Sequence, residues 1–134
     1  MLSDIHIPSS VQYIGSFAFA GCISLSRIAL SGKTEIREGA FKGCASLAHI
    51  DLSDEVTKVA VDSFEDTPYY NDINNWTDGG FYIGTHLICG SSEEPLTSIR
   101  PSTKIISGKF TSTGENIEIP GGVTYIAQQA FENC

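Results

Sequence analysis

Apolar residues recur along this chain in two rhythms. Locally, aliphatic positions alternate with polar or small ones in Ile5-His6-Ile7, Ile28-Ala29-Leu30, Ile50-Asp51-Leu52 and Ile117-Glu118-Ile119. That period-two pattern is a short strand with its aliphatics inward and its middle residue outward. On a longer scale, Phe19, Phe41, Phe64, Phe110 and Phe131 each fall five residues after an aliphatic: Ile14, Ile36, Val59, Ile105 and Ile126. The steps between the phenylalanines are 22, 23, 46 and 21, and 46 is two periods of 23. Self-similarity at such a period marks a repeat architecture, in which each unit buries its apolar face only against its neighbours.

Alignment on the phenylalanines exposes the rest of the unit. After each alternating strand come Val11, Val56 or Val123, then the aliphatic column, then Ala18, Ala40 or Ala130 before Phe, then Gly21-Cys22 or Gly43-Cys44, and finally Leu25 or Leu47. Pro8 and Pro120 follow their strands directly, where a missing amide donor stops a ladder from extending. The stretch from the aliphatic column to Phe returns the chain, through a short helical turn or a second strand. Gly21 and Gly43 supply the turn before Cys.

No unit can be laid down between Thr67 and about Thr97. Pro68-Tyr69-Tyr70 leads into a polar run from Asn71 to Gly80, after which Phe81 to Cys89 reads as two strands around a Gly84 turn. The coil resumes near Ile99 and reaches Phe110 through Ile105; Pro101 fits the post-strand place there only if a residue is deleted before Phe110. The expected organisation is one solenoid over 1–134: coils one to three in 1–66, an aromatic-rich insertion in 67–97, and coils four and five in 98–134. The chain is expected to be part of a longer protein.

The unit Ile-Pro-x-Ser-Val-x-x-Ile-Gly-x-x-Ala-Phe-x-Gly-Cys-x-x-Leu, present here as Ile7 through Leu25, resembles the hallmark of the BspA-like branch of bacterial leucine-rich repeat proteins. The Thr67 to Tyr70 break and the Asp78 to Cys89 hairpin are similar to an interruption familiar in that family. Coil four departs from the pattern, with Lys109 at the small position and Thr113 at the Cys position. The resemblance implies an α/β solenoid, a right-handed leucine-rich-repeat coil of about five short-strand repeats with a β-hairpin interruption. It also implies an extracellular or cell-surface location and roles in adhesion or host interaction. It supplies no catalytic residues, and shared fold alone supports no more than a binding surface.

Charge narrows the partners. Eight Lys and Arg against sixteen Asp and Glu give a net charge of −8, which repels nucleic acid and anionic membrane surfaces, both bound through clustered basic residues. No apolar run reaches the ~20 residues needed to span a bilayer, and the N-terminus lacks the basic-then-apolar layout of a signal peptide.

Candidate chemistry is sparse. Cys22, Cys44 and Cys134 occupy equivalent places. Coils stacked ~4.8 Å apart bring such residues within disulfide range, yet their Cβ vectors run parallel instead of facing each other. A column of small, reduced thiols follows, with Cys89 packed inward in the hairpin. His6, His49 and His86 are scattered; His6 and His49 with Asp51 make only a loose surface group, without the converging donors a metal needs. Asp72 to Gly79 has the composition of a calcium loop but not its spacing, since Trp76 stands at the third ligand place and no Glu closes it. No serine sits in a nucleophile elbow and no Gly-rich phosphate loop opens a helix. No catalytic residue, metal or cofactor is expected.

What remains is surface. The outward strand positions His6, Ala29, Asp51 and Glu118, flanked by Arg27, His49 and Ser53, form the expected binding sheet for a protein or glycan ligand, including a host-derived one. Tyr69, Tyr70, Trp76, Phe81 and Tyr82 gather in the insertion, where they either anchor a ligand or pack as a local core. A structural spacer holding another domain away from the cell is the alternative to a binding module. Coil one lacks a polar cap and the sequence stops at Cys134 within a unit, so end-to-end self-association is expected.

Overall fold

A computed structural model describes residues 2–110, 113–132 and 134. Its first half is a stack of three coils. Strands β1 (Asp4–Ile7), β3 (Arg27–Leu30) and β5 (His49–Leu52) form one parallel sheet in the order β1-β3-β5. Register pairs Ile5 with Ile28 and Ile28 with Ile50, while His6 pairs with Ala29 and Ala29 with Asp51. Each alternating triplet thus sends its aliphatics into the stack. A second parallel ladder joins β2 (Tyr13–Ile14) to β4 (Glu35–Ile36) and continues as a bridge to Val59. The chain returns to the next coil through this ladder and through turns, not through helices.

The phenylalanines form the spine. Phe19 stacks on Phe41 at 5.2 Å and Phe41 on Phe64 at 5.4 Å, with ring planes within 4° and 2° of parallel. Offset stacking at this separation is a favoured aromatic geometry, and it recurs between Phe110 and Phe131 at 5.2 Å. Gly21 and Gly43 both take φ of +71°, as expected of the turn before Cys.

The insertion breaks the stack and then rejoins it. Thr67, in the Cys column, donates to the Phe64 carbonyl at 2.7 Å and accepts the Tyr70 amide at 3.1 Å. It caps α1 (Pro68–Asn71), whose first position is Pro68, a residue that loses nothing there because that amide has no helical partner. A single 3-10 turn (Ile73–Asn75) leads to β6 (Trp76–Thr77), β7 (Gly80–Ile83) and β8 (His86–Gly90), which pair antiparallel in that order. Asp78 and Gly79, with φ of +50° and +84°, form the two-residue loop between β6 and β7. Both central residues of a type I′ turn need positive φ, which Asp-Gly supplies at least cost.

On its other edge β8 pairs parallel with β9 (Ile105–Ile106), and β9 with β10 (Tyr125–Ile126), so the five-stranded sheet runs β10-β9-β8-β7-β6. Leu87, Ile106 and Ile126 are register partners, as Ile14, Ile36 and Val59 are in the first half. The hairpin therefore contributes a layer to the solenoid, which has about six turns where the sequence suggests five.

Three further expectations change. The α/β assignment is not confirmed, because α1 and the 3-10 turn are the helical elements among the described residues and both lie in the insertion. Ile106, not Ile105, occupies the aliphatic column, since it pairs with Ile126; both residues are buried. Thr103 donates to the Arg100 carbonyl as Val11 does to Pro8 and Val123 to Pro120. Arg100 thus holds the post-strand place, Pro101 lies one residue beyond it, and the stretch from Ile106 to Phe110 is one residue shorter than its counterparts. Gly108 sits in that shortened stretch, against the backbone of Ile88 and Cys89.

Arg100 fastens coil four to the insertion. Its guanidinium lies 4.3 Å from the centre of the Tyr82 ring, its Nε donates to Thr77 Oγ1 at 2.9 Å and its Nη2 to the Asn74 carbonyl at 3.3 Å. Its amide donates to the Tyr82 hydroxyl at 3.1 Å. Arg100→Ala should cost about 2 kcal/mol in chemical denaturation, from one cation–π contact and charge-assisted hydrogen bonds in a half-buried site. Arg100→Lys should recover less than half of that, because an ammonium cannot reproduce the planar fork. Full recovery by Lys would show that charge alone is what matters there.

Candidate functional site

The β1-β3-β5 sheet turns a polar face to solvent. Ile5, Ile7, Ile28, Leu30, Ile50 and Leu52 point into the stack, which leaves Asp4 and His6, Arg27 and Ala29, and His49 and Asp51 as successive outward pairs. Two rows cross the strands. In one, Asp4 is in register with Arg27 and Arg27 with His49; in the other, His6 is in register with Ala29 and Ala29 with Asp51. All but Ala29 of these six are exposed. The face carries both charge signs, two imidazoles and one shallow spot at Ala29.

Asp4 was not among the sequence candidates. Its signal is its place two residues before His6, which period-two alternation puts on the same face. Ser53 directly follows β5: its amide donates to the Leu30 carbonyl, its carbonyl accepts from Val56 and lies 2.9 Å from His86 Nε2, and its hydroxyl accepts the Glu55 amide. Glu118 is exposed but not on this sheet, because Ile117 to Ile119 form no strand in the described structure. The equivalent triplet Ile5-His6-Ile7 makes a strand because β3 supplies the neighbouring backbone.

The insertion aromatics pack on one another. Tyr70 meets Trp76 edge-on at 5.2 Å and Phe81 at 5.0 Å, Tyr69 meets Phe81 at 6.0 Å, and the Trp76 indole N–H donates to the Tyr70 carbonyl at 2.7 Å. Tyr69, Tyr70 and Trp76 stay half-buried, but Tyr82 is only 1% exposed and cannot contribute to a surface patch. Burial raises the hydroxyl pKa of Tyr82. These edge-on contacts make a local core that continues the stack of coil three.

A groove of about 460 Å³ runs between the two ladders, with Glu35, Arg37, Lys58 and Val59 on one wall and Ser107 and Tyr125 on the other. Arg37 is already engaged there, paired with Glu35 at 3.5 Å and lying 4.1 Å from the Tyr13 ring centre.

All four cysteines are unpaired. The Cys44 thiol donates to the Phe19 carbonyl at 3.1 Å and that of Cys134 to Phe110 at 3.3 Å, each reaching a coil back along the stack. Burial pushes the Cys89 thiol up to about 12 and that of Cys44 above its ordinary value, so both resist forming the reactive thiolate. Among the described residues no group of three or more His, Cys, Asp or Glu is placed to hold a metal ion. No helix among them is long and apolar enough to cross a membrane.

Comparison with curated proteins and with solved structures yields no match. The family model for the BspA type leucine-rich repeat region (6 copies) matches residues 1–107 and 103–134. The stacked phenylalanines, the inward aliphatic triplets and the thiols aligned along the coils are the physical content of that match. This chain belongs to the BspA-type leucine-rich repeat family.

Proposed function

We propose that this chain is a noncatalytic binding or adhesion module of a cell-surface or secreted bacterial protein, and that it takes a protein or glycan ligand on the outward face of β1-β3-β5. One observation carries the reading: the side chains of Asp4, His6, Arg27, His49 and Asp51 are exposed in register on three adjacent strands. A flat sheet that spaces both charges and imidazoles evenly suits an extended partner, with the mixed charges setting orientation and specificity more than affinity.

The test is a glycan and protein array screen of the chain, followed by Arg27→Ala and Asp51→Ala on any hit. Binding should fall at least ~10-fold in the double variant, with the thermal midpoint unchanged because neither side chain packs in the core. A hit insensitive to both substitutions would move the site off this face. Silence across the arrays would favour the spacer.

Contact between copies of this chain is proposed on separate grounds. The outer surface of coil one exposes Leu2, Tyr13 and Ile23, with β1 at the sheet edge, and open strand edges with apolar neighbours promote association. Light scattering should give a mass that rises with concentration, and Ile23→Lys should hold it at the monomer value. A monomer at all concentrations removes this contact.

A further inference from the structure

His86 is wholly buried at the place where the two halves of the solenoid meet. Its Nε2 lies 2.9 Å from the carbonyl of Ser53, which follows β5 in coil three. A carbonyl only accepts, so Nε2 carries the proton and Nδ1 is the bare nitrogen. Nδ1 is buried and has no hydrogen-bond partner. The backbone around it is committed: the Thr85 carbonyl accepts from Lys104 and Ile105 in coil four, and His86 itself is the register partner of Ile83 on one side and Ile105 on the other. The Gly84–Thr85 turn is therefore clasped between coil three and coil four, with the imidazole as its inner pin.

Charged groups lie on both sides of the turn. From coil three, Asp54 accepts from the Thr85 hydroxyl at 2.5 Å; from coil four, Lys104 pairs with the other oxygen of Asp54 at 2.9 Å. The ion pair is exposed and screened, so it holds the turn weakly. Asp54 favours an imidazolium, but Lys104 offsets part of its charge, and neither provides an acceptor at Nδ1.

We propose that this junction is an acid-released clasp: a proton taken up at His86 Nδ1 expels the imidazole from its site and frees the Gly84–Thr85 turn from coil three. The added N–H would be buried without an acceptor and its charge would be buried with it, and both costs are relieved when the ring reaches water. Burial accordingly lowers the His86 pKa against the raising effects of Ser53 and Asp54. A folded-state value below the unfolded one of about 6.5 means that the clasp is fully held above that pH and is lost as pH falls below it. Asp54, held below the usual carboxylate range by its hydrogen bonds from Thr85 and Lys104, titrates in a separate, more acidic window. The aromatic contacts of Tyr69, Tyr70 and Trp76 with Phe81 do not titrate in this range and keep the hairpin attached, so the release is local.

Amide hydrogen exchange at pH 7.5 and pH 5.0, corrected for intrinsic rates, reads the clasp directly. Protection of the His86 and Leu87 amides should drop at least ~10-fold at pH 5.0, while that of Ile28 and Ile50 holds. His86→Gln keeps an amide donor for the Ser53 carbonyl without a titrating nitrogen and should abolish the pH dependence. Unchanged protection in the parent chain, or the same acid loss in His86→Gln, overturns the proposal. Should His86→Gln fail to fold, an NMR titration of the parent decides: His86 must titrate below the ordinary imidazole value of about 6.5, and a value at or above it overturns the proposal.

Discussion

Phe41→Ala is expected to destabilise the chain by about 3–5 kcal/mol, the largest loss of any single substitution considered. Phe41 is fully buried in the middle of a run of three parallel rings, so its removal takes the partner from Phe19 on one side and from Phe64 on the other. Neither neighbour can close the gap, because backbone bonds between successive coils fix their spacing: the Phe19 amide donates to the Ala40 carbonyl and the Phe41 amide to the Ser63 carbonyl. The transfer free energy of one aromatic side chain and the cavity cost therefore add. In a stack whose units are stabilised by their neighbours, damage at the middle also separates the coils on either side. Urea denaturation measures the effect, and a loss below about 1 kcal/mol would mean that the ring column is not what holds the coils together.

Gly108→Ala is expected to cost roughly 2–3 kcal/mol, for a different reason. A Cβ at this position would overlap the Ile88 carbonyl oxygen and stand 2.9 Å from Cys89 Cα. Both obstacles are backbone of β8, which is held on one edge by β7 and on the other by β9, so no side chain can swing aside. The Ser107 amide donates to the Leu87 carbonyl at 3.0 Å, and that bond fixes the approach. A neutral result in thermal denaturation would show that coil four can slide away from the hairpin. Gly121→Ala is the control, since nothing lies within 4 Å of a Cβ placed there.

The contrast between these two positions shows what the sequence makes legible. The phenylalanine column is visible from spacing, because a ring that stacks on its equivalent must recur at the coil period. The alternating triplets of the first half are equally readable, since the aliphatic positions face a core that every coil shares. Gly108 carries no such mark: its constraint comes from another strand some twenty residues earlier. The same limit explains the aliphatic column of coil four. Ile105 and Ile106 are adjacent and both buried, and constant spacing from Phe selects the former, whereas the deleted residue that selects the latter is felt only through pairing with Ile126.

Glu118 and Tyr82 fail for related reasons. A strand needs a neighbour's backbone as well as its own alternation, and Ile117 to Ile119 lack that neighbour. Alternation also presumes one wet face. All four residues of β7 are buried, because that strand is covered on both sides, so Tyr82 cannot be assigned a face from its neighbours. The binding face is legible as a set of outward positions, while its extent is set by where the β1-β3-β5 ladder stops.

The antiparallel hairpin also bears on how the chain finds its fold. Each parallel rung of β1-β3-β5 or β9-β10 joins residues 20 to 23 apart in sequence, as with Ile5 and Ile28 or Ile106 and Ile126. In β6-β7-β8 the partners are far closer, Thr77 with Gly80 and Ile83 with His86. Loop closure comes first and the contacts follow, so short loops form early: a hairpin closes in about 1–10 μs, before distant segments are brought together. The hairpin also leaves one edge of β8 free to template β9 and gives β5 a surface to settle on. Growth from the centre outward, with the two arrays added coil by coil in opposite directions, is the route of lowest contact order open to this topology.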